Sequence, residues 1–81
     1  VTRGQESTGA YIDDSAITTS VKARFVDDAK VDASAISVET LKGTVMLSGF
    51  AKNTTEKNTA ETIAMKVPGV VAVKNVIAVR P

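Results

Sequence analysis

The spacing of apolar residues changes twice in the second half of the chain. Between Ile36 and Ala51 apolar side chains alternate with polar ones, which is typical of strands with one buried face. From Ala60 to Val67 they recur at the three- and four-residue spacing of a helix, and from Val71 to Val79 the alternation returns. This order predicts a ββαβ unit. The last strand should run parallel to the strand before the helix, because a helical crossover joins the two.

Short polar signals mark the ends of these elements. Lys42-Gly43 predicts the turn between the first two strands, because glycine tolerates a positive φ. Asn53, followed three residues later by Glu56, predicts a capping box at the start of the helix, and Pro68-Gly69 predicts its end. Gly49, inside the second strand, predicts a bulge or the close approach of a helix backbone.

A further helix precedes this unit. Asp13 is its predicted N-cap, with Ile12 and Ile17 placed to form a hydrophobic staple. Its buried stripe recurs every four residues at Ile17, Val21 and Phe25. The chain is therefore predicted to be an α+β domain with the element order αββαβ.

The domain boundaries follow from where these patterns begin. Residues 1–10 show no apolar period and predict a flexible tail, so the folded domain is expected over residues 11–81. The predicted core lies between the sheet and both helices and consists of Ile17, Val21, Phe25, Val45, Leu47, Ile63, Val67 and Ile77.

Composition argues against catalysis. The chain contains no His and no Cys, so the common general base and every thiol ligand or nucleophile are absent. Asp13 and Asp14 at a helix start, and Asp27, Asp28 and Asp32 at a helix end and loop, fit capping and solvated surface better than a calcium site or an acid–base pair. We predict no enzyme, no cofactor and no metal. The enzyme alternative requires a carboxylate pair with raised pKa values.

Charge and hydropathy limit the partners. Ten Lys and Arg against nine Asp and Glu give a net charge of +1, and the basic residues are spread rather than interleaved with the few aromatic ones. We therefore predict no nucleic-acid binding. No apolar run reaches the roughly 18 residues of a transmembrane segment. The chain begins at Val1 without an apolar leader, so we expect a processed product whose targeting signal is not present in this chain.

Several short motifs occur in a fixed order. They are Asp13-Asp14-Ser15-Ala16-Ile17-Thr18, Ile36-Ser37-Val38, Gly43-Thr44-Val45-Met46-Leu47-Ser48-Gly49, Gly69-Val70, and Val73-Lys74-Asn75 with Ile77 and Val79. Over Tyr11 to Arg80 this series resembles the BON domain family, named for bacterial OsmY and nodulation proteins, and within it a single OsmY-like repeat. The resemblance implies a three-stranded mixed sheet with two helices packed on one face.

The resemblance also implies a function. BON domains occur in periplasmic and outer-membrane-associated proteins, so it implies a non-enzymatic module of the bacterial envelope. Such a module is expected to bind a phospholipid membrane surface, in osmotic or envelope stress protection. The alternative is a protein-interaction or self-association module of an envelope protein.

Two helices on one side of a three-stranded sheet leave its other face open, and we place the candidate contact site there. The candidate apolar contacts are Met46, Phe50 and Val76, and the candidate headgroup partners are Lys42, Lys52 and Lys74. Val26 and Met65, off their helix stripes, are weaker candidates. The competing explanation is ordinary scatter of apolar surface residues, or cover by residues 1–11.

Overall fold

The computed structural model describes residues 13–80, so the predicted tail at 1–10 and Ile12 of the predicted staple lie outside the described residues. The elements in chain order are α1 (Asp14–Asp27), a 3-10 turn (Ala33–Ala35), β1 (Ile36–Leu41), β2 (Thr44–Ala51), α2 (Thr54–Met65), β3 (Ala72–Asn75) and β4 (Ala78–Val79). Neither α1 nor α2 is long and apolar enough to span a bilayer.

The strands form one mixed sheet in the order β1–β2–β3, with β2 in the middle. β1 and β2 pair antiparallel, from Ile36 opposite Gly49 to Leu41 opposite Thr44. β3 runs parallel to β2, and the short β4 also pairs with β2 in parallel. Both helices pack against one face of this sheet. The predicted α+β class, element order and mixed sheet are confirmed.

The last predicted strand, Val71 to Val79, is interrupted. Lys74 of β3 pairs with Met46 of β2, and Ala78 of β4 pairs with Phe50 of β2. The residue numbers of the two partners differ by 28 in both ladders, so the register is the same before and after the interruption. The interruption lies beside Gly49, whose φ of +114° leaves the extended conformation that a regular ladder needs. The prediction of one continuous strand was therefore wrong, although its alternation of faces is kept.

The core lies between the sheet and the two helices. Seven of the eight predicted core residues are buried, and Ile63 is partly buried against them. Val45 and Leu47 on β2 are fully buried, which confirms the predicted face of this strand. Ala60 and Ala64 are also fully buried, so small side chains line the inner face of α2.

Asp14 joins the start of α1 to the β1–β2 hairpin. Its carboxylate accepts the N–H of Lys42 at 2.7 Å and the N–H of Gly43 at 2.9 Å. Both turn residues have positive φ, +52° and +81°, as a two-residue type I′ turn requires. The predicted turn is confirmed, and the helix start holds it in place.

Gly49 on β2 lies against the backbone of the residue that precedes β1. A Cβ on Gly49 would lie 2.1 Å from the carbonyl oxygen of Ala35, which belongs to the 3-10 turn. The predicted close approach is confirmed, and the approaching backbone is this short turn rather than either α-helix.

Glu56 is the buried charged residue of the described chain, with 3% of its surface exposed. Its carboxylate accepts the N–H of Asp32 at 2.7 Å and the N–H of Lys52 at 2.8 Å. The predicted capping box is half formed: Asn53 accepts the N–H of Glu56, but the Glu56 side chain binds Lys52 instead of Asn53. The Asp32 N–H, followed by that of Lys52, holds the pKa of Glu56 below its ordinary value although burial raises it.

Leu47→Ala is expected to lower the free energy of unfolding by about 2 to 5 kcal/mol, because it leaves a cavity in a fully buried site. Urea unfolding followed by circular dichroism measures the loss. A loss below about 1 kcal/mol would contradict the assigned register, in which Leu47 faces the helices.

Gly49→Ala is expected to destabilise the domain by about 1 to 3 kcal/mol, because its φ of +114° strains any other residue and the new Cβ meets the Ala35 carbonyl. Ser48→Ala, the neighbouring position on the same strand, is the control and should change stability by less than about 0.5 kcal/mol. Equal stability of the two variants would exclude the close approach.

Glu56→Gln is expected to lower the free energy of unfolding at pH 7 by about 1.5 to 3 kcal/mol, because an amide NH₂ replaces an oxygen that accepts a backbone N–H. The folded pKa of Glu56 lies below the unfolded value of about 4.3. The contribution is therefore complete above that value and is lost as the pH falls through the folded pKa. Urea titrations from pH 7 to pH 3 measure it.

The difference in the free energy of unfolding between wild type and Glu56→Gln should therefore become smaller as the pH falls from 7 to 3. Glu61→Gln, an exposed position on the same helix, is the matched control and should have little effect at any pH. A Glu56→Gln loss that stays constant down to pH 3 would show that the carboxylate charge does not stabilise the fold.

Candidate binding surface

Four of the five acidic residues considered above, Asp13, Asp14, Asp28 and Asp32, accept hydrogen bonds from backbone N–H groups. The hydroxyl of Ser15, at 2.6 Å, and its N–H, at 2.7 Å, lower the pKa of Asp13. Asp28 and Asp32 each accept the N–H of the residue two positions on, at 2.8 and 3.1 Å. A general acid needs a raised pKa. Within residues 13–80, no cluster of acidic residues is arranged to hold a metal ion.

The face of the sheet opposite the helices is the candidate surface. Met46 and Phe50 alternate along β2 with buried residues and point away from the core. The register extends this face across the sheet, so that Glu39, Met46 and Lys74 form one row. We term this side the open face; its residues are Ser37, Glu39, Leu41, Thr44, Met46, Ser48, Phe50, Ala72, Lys74, Val76 and Ala78. Neither described helix covers it.

Several apolar side chains of the open face are exposed to solvent. Phe50 is 46% exposed, Val76 is 49% exposed and Leu41 is 72% exposed, while Met46 is half-buried between its neighbours. The three apolar candidates, Met46, Phe50 and Val76, thus lie on the same face, as the alternation predicts.

Arg80 lies over the ring of Phe50. Its guanidinium carbon is 4.3 Å from the ring centroid. The backbone N–H of Arg80 donates to the backbone carbonyl of Ala51, and this hydrogen bond holds the end of the chain against β2. The sequence interpretation missed Arg80. The signal was present, because continuing the alternation from Val76 through Ala78 places the next alternate residue on this face.

The three candidate lysines occupy different environments. Lys74 lies on the open face, beside Met46. Lys42 lies in the hairpin turn, at one end of the sheet. The Nζ of Lys52 donates to Glu56 at 3.1 Å, so this amine serves an ion pair with a buried carboxylate. The structure therefore brings Lys74, but not Lys52, to the apolar candidates.

Comparison with known proteins identifies relatives over most of the chain. Residues 13–81 match the BON domain family. The chain is similar to Osmotically-inducible protein Y of Escherichia coli K12, with 40% identity over 72 residues that cover 89% of this chain and 36% of that protein.

A solved structure shares the fold. The C-terminal domain of CdsD, the structural protein of the type III secretion system of Chlamydia trachomatis, matches with a TM-score of 0.65 and 20% identity, over 84% of this chain and 34% of that one. At this identity the likeness shows the fold alone. The chain spans about a third of the length of each of these two relatives.

The sequence motifs that resemble the BON family contain residues that hold the fold together. Asp14 binds the hairpin turn, Gly49 admits the Ala35 carbonyl, and the Asn75 amide donates to the Lys57 carbonyl at 3.0 Å. The family match extends over every described element, from α1 to β4. This chain belongs to the BON domain family.

Proposed function

We propose that this domain is a non-enzymatic module of the bacterial envelope whose open face binds the surface of phospholipid membranes. The observation that carries the proposal is the pairing of exposed apolar side chains with cations on that face. Phe50 lies under Arg80, and Met46 lies beside Lys74. A membrane surface presents an apolar layer together with anionic headgroups, and so matches both parts of this pattern.

Apolar contact and local charge contribute comparable amounts to the proposed binding. Full burial of a Phe side chain contributes about 1.5 to 3 kcal/mol, and Phe50, at 46% exposure, retains about half of its area for a partner. A Lys or Arg near an anionic surface adds about 1 kcal/mol. With Val76 also half exposed, these groups support weak, reversible binding at the surface.

The charged residues on and beside the open face are mostly basic. The open face carries one acidic residue, Glu39, against Lys74 and the adjoining Arg80, and Lys42 stands at its hairpin end. Local charge therefore favours an anionic surface although the whole chain has a net charge of only +1.

The family supports the cellular setting. BON domains are expected in the periplasm, by the resemblance described above, and the similarity to Osmotically-inducible protein Y supports a role under osmotic stress. Because the chain spans about a third of that protein, we propose this setting for the domain and not an activity of the whole relative.

Phe50→Ser is expected to weaken binding to vesicles of equal parts phosphatidylglycerol and phosphatidylcholine by about three- to tenfold, because it removes the largest exposed aromatic side chain of the open face. Vesicle co-sedimentation measures the affinity. Thermal unfolding should show little loss of stability, since the ring is not part of the core.

Val26→Ser is the matched control, because Val26 is 73% exposed on α1 and lies off the open face. It should leave vesicle binding unchanged. The proposal is wrong if Val26→Ser abolishes binding while Phe50→Ser does not. If wild type ignores vesicles but its open-face amide signals shift with protein concentration, the face serves self-association instead.

A further inference from the structure

The outer edge of β1 presents backbone groups that the sheet does not use. The carbonyls of Leu47 and Ala51 on β2, and that of Gly43 just before it, accept backbone N–H groups from the chain segments on the β3 and β4 side. The backbone N–H and C=O groups of successive residues point to alternate sides of a strand. Because those of the odd-numbered β2 residues point toward β3 and β4, those of the even-numbered residues point toward β1. Their partners in the register, Ser37, Glu39 and Leu41, are therefore the β1 residues that bond to β2.

It follows that the N–H and C=O groups of Val38 and Thr40 point away from the sheet. Within residues 13–80, no hydrogen bond outside the β1–β2 ladder uses the backbone of either residue. Val38 is only 6% exposed. An edge strand presents a row of such N–H and C=O groups, which can pair with another chain. Within the described residues, the outer edge of β1 is therefore free to accept another extended backbone.

A groove beside this edge has room for a strand. Helix α1 forms its other wall, with Thr18 and Thr19 toward the hairpin turn and Lys22 and Val26 toward the opposite end. At that opposite end the groove holds a cavity of about 710 Å³ whose walls include Val26, Val31 and Val38. A side chain that enters the cavity would meet mainly apolar atoms.

We propose that this edge binds an extended peptide from another protein, which adds to β1 as an antiparallel strand. Peptide residues opposite Val38 and Thr40 exchange backbone hydrogen bonds with them and point into the groove, where an apolar side chain fills the cavity. The residue between them lies opposite Glu39 on the other face. A basic residue fits that position, because opposite charges across a strand pair are favourable.

The same charge disfavours a second copy of this chain as the occupant. In the two-fold arrangement that pairs Val38 of each copy with Thr40 of the other, Glu39 lies directly opposite its own equivalent. Like charges directly opposite are destabilising, and a charged residue on an edge strand is a common protection against self-pairing. The peptide bonds to the backbone edge of β1, and Glu39 is the one open-face residue on which the argument for its sequence rests, so the site does not depend on the proposed membrane function.

The test uses a blocked synthetic peptide of alternating valine and threonine, with arginine at the central threonine position, and the ¹⁵N-labelled full chain. We expect saturable chemical-shift changes, with a Kd below about 1 mM, centred on the Val38 and Thr40 amides. Thr40→Pro removes an N–H that the sheet does not use, which an edge strand tolerates. It should weaken binding by about tenfold or more.

Thr40→Val is the matched control, because it keeps the N–H and removes only the hydroxyl that lies 2.7 Å from the Thr18 hydroxyl. It should bind within about twofold of wild type. If Thr40→Pro does not fold, peptides N-methylated at the amides that face β1 supply the same test, with methylation at the alternate amides as the control. Glu39→Lys should exchange the preference from the arginine peptide to one with a central glutamate.

Three results would overturn the proposal. The first is the absence of saturable shifts at Val38 and Thr40 with any of these peptides. The second is equal binding by Thr40→Pro and Thr40→Val. The third is protection of the Val38 and Thr40 amides from hydrogen exchange in the chain alone, since the edge would then be occupied by another part of the chain or by a second copy.

Discussion

The contact between the Ala35 carbonyl and Gly49 is the constraint on which the rest of the sheet depends. It brings the 3-10 turn against β2 near the C-terminal end of that strand, and its space exists only because Gly49 has no Cβ. The positive φ of Gly49 then interrupts the ladder that β2 makes with the end of the chain. Because the register continues after the interruption, Ile77 is buried while Val76 and Ala78 stay on the open face.

The interactions that join distant parts of the chain are carried by short polar side chains. Asp14 holds the hairpin turn, Glu56 joins the loop at Asp32 to the loop at Lys52, and Asn75 ties β3 to α2. Each accepts from or donates to backbone groups that would otherwise need water. These residues are thereby committed to the fold, and the open face and the edge of β1 are the surfaces that we propose for binding.

The two proposed surfaces differ in what they can recognise. The open face offers side chains only, and Phe50 with Arg80 over it combines an apolar surface with a cation. The outer edge of β1 offers backbone groups in a repeat that only an extended chain can match. The open face therefore fits a fluid membrane surface, and the outer edge of β1 fits a peptide. One small domain has space for both, because one surface is a face of the sheet and the other is its edge.

What the sequence by itself determined is local. The change in apolar period identified the helices and strands. Alternation along β2 assigned Leu47 to the core and Met46 and Phe50 to the open face, and alternation in the last segment of the chain assigned Val76 to the same face. The tertiary structure alone decided which distant groups meet. Glu56 finds the Asp32 N–H 24 residues away, Lys52 is drawn into that ion pair, and Arg80 reaches Phe50. Periodicity describes the side of an element on which a residue lies, whereas these contacts depend on how the elements are placed relative to one another.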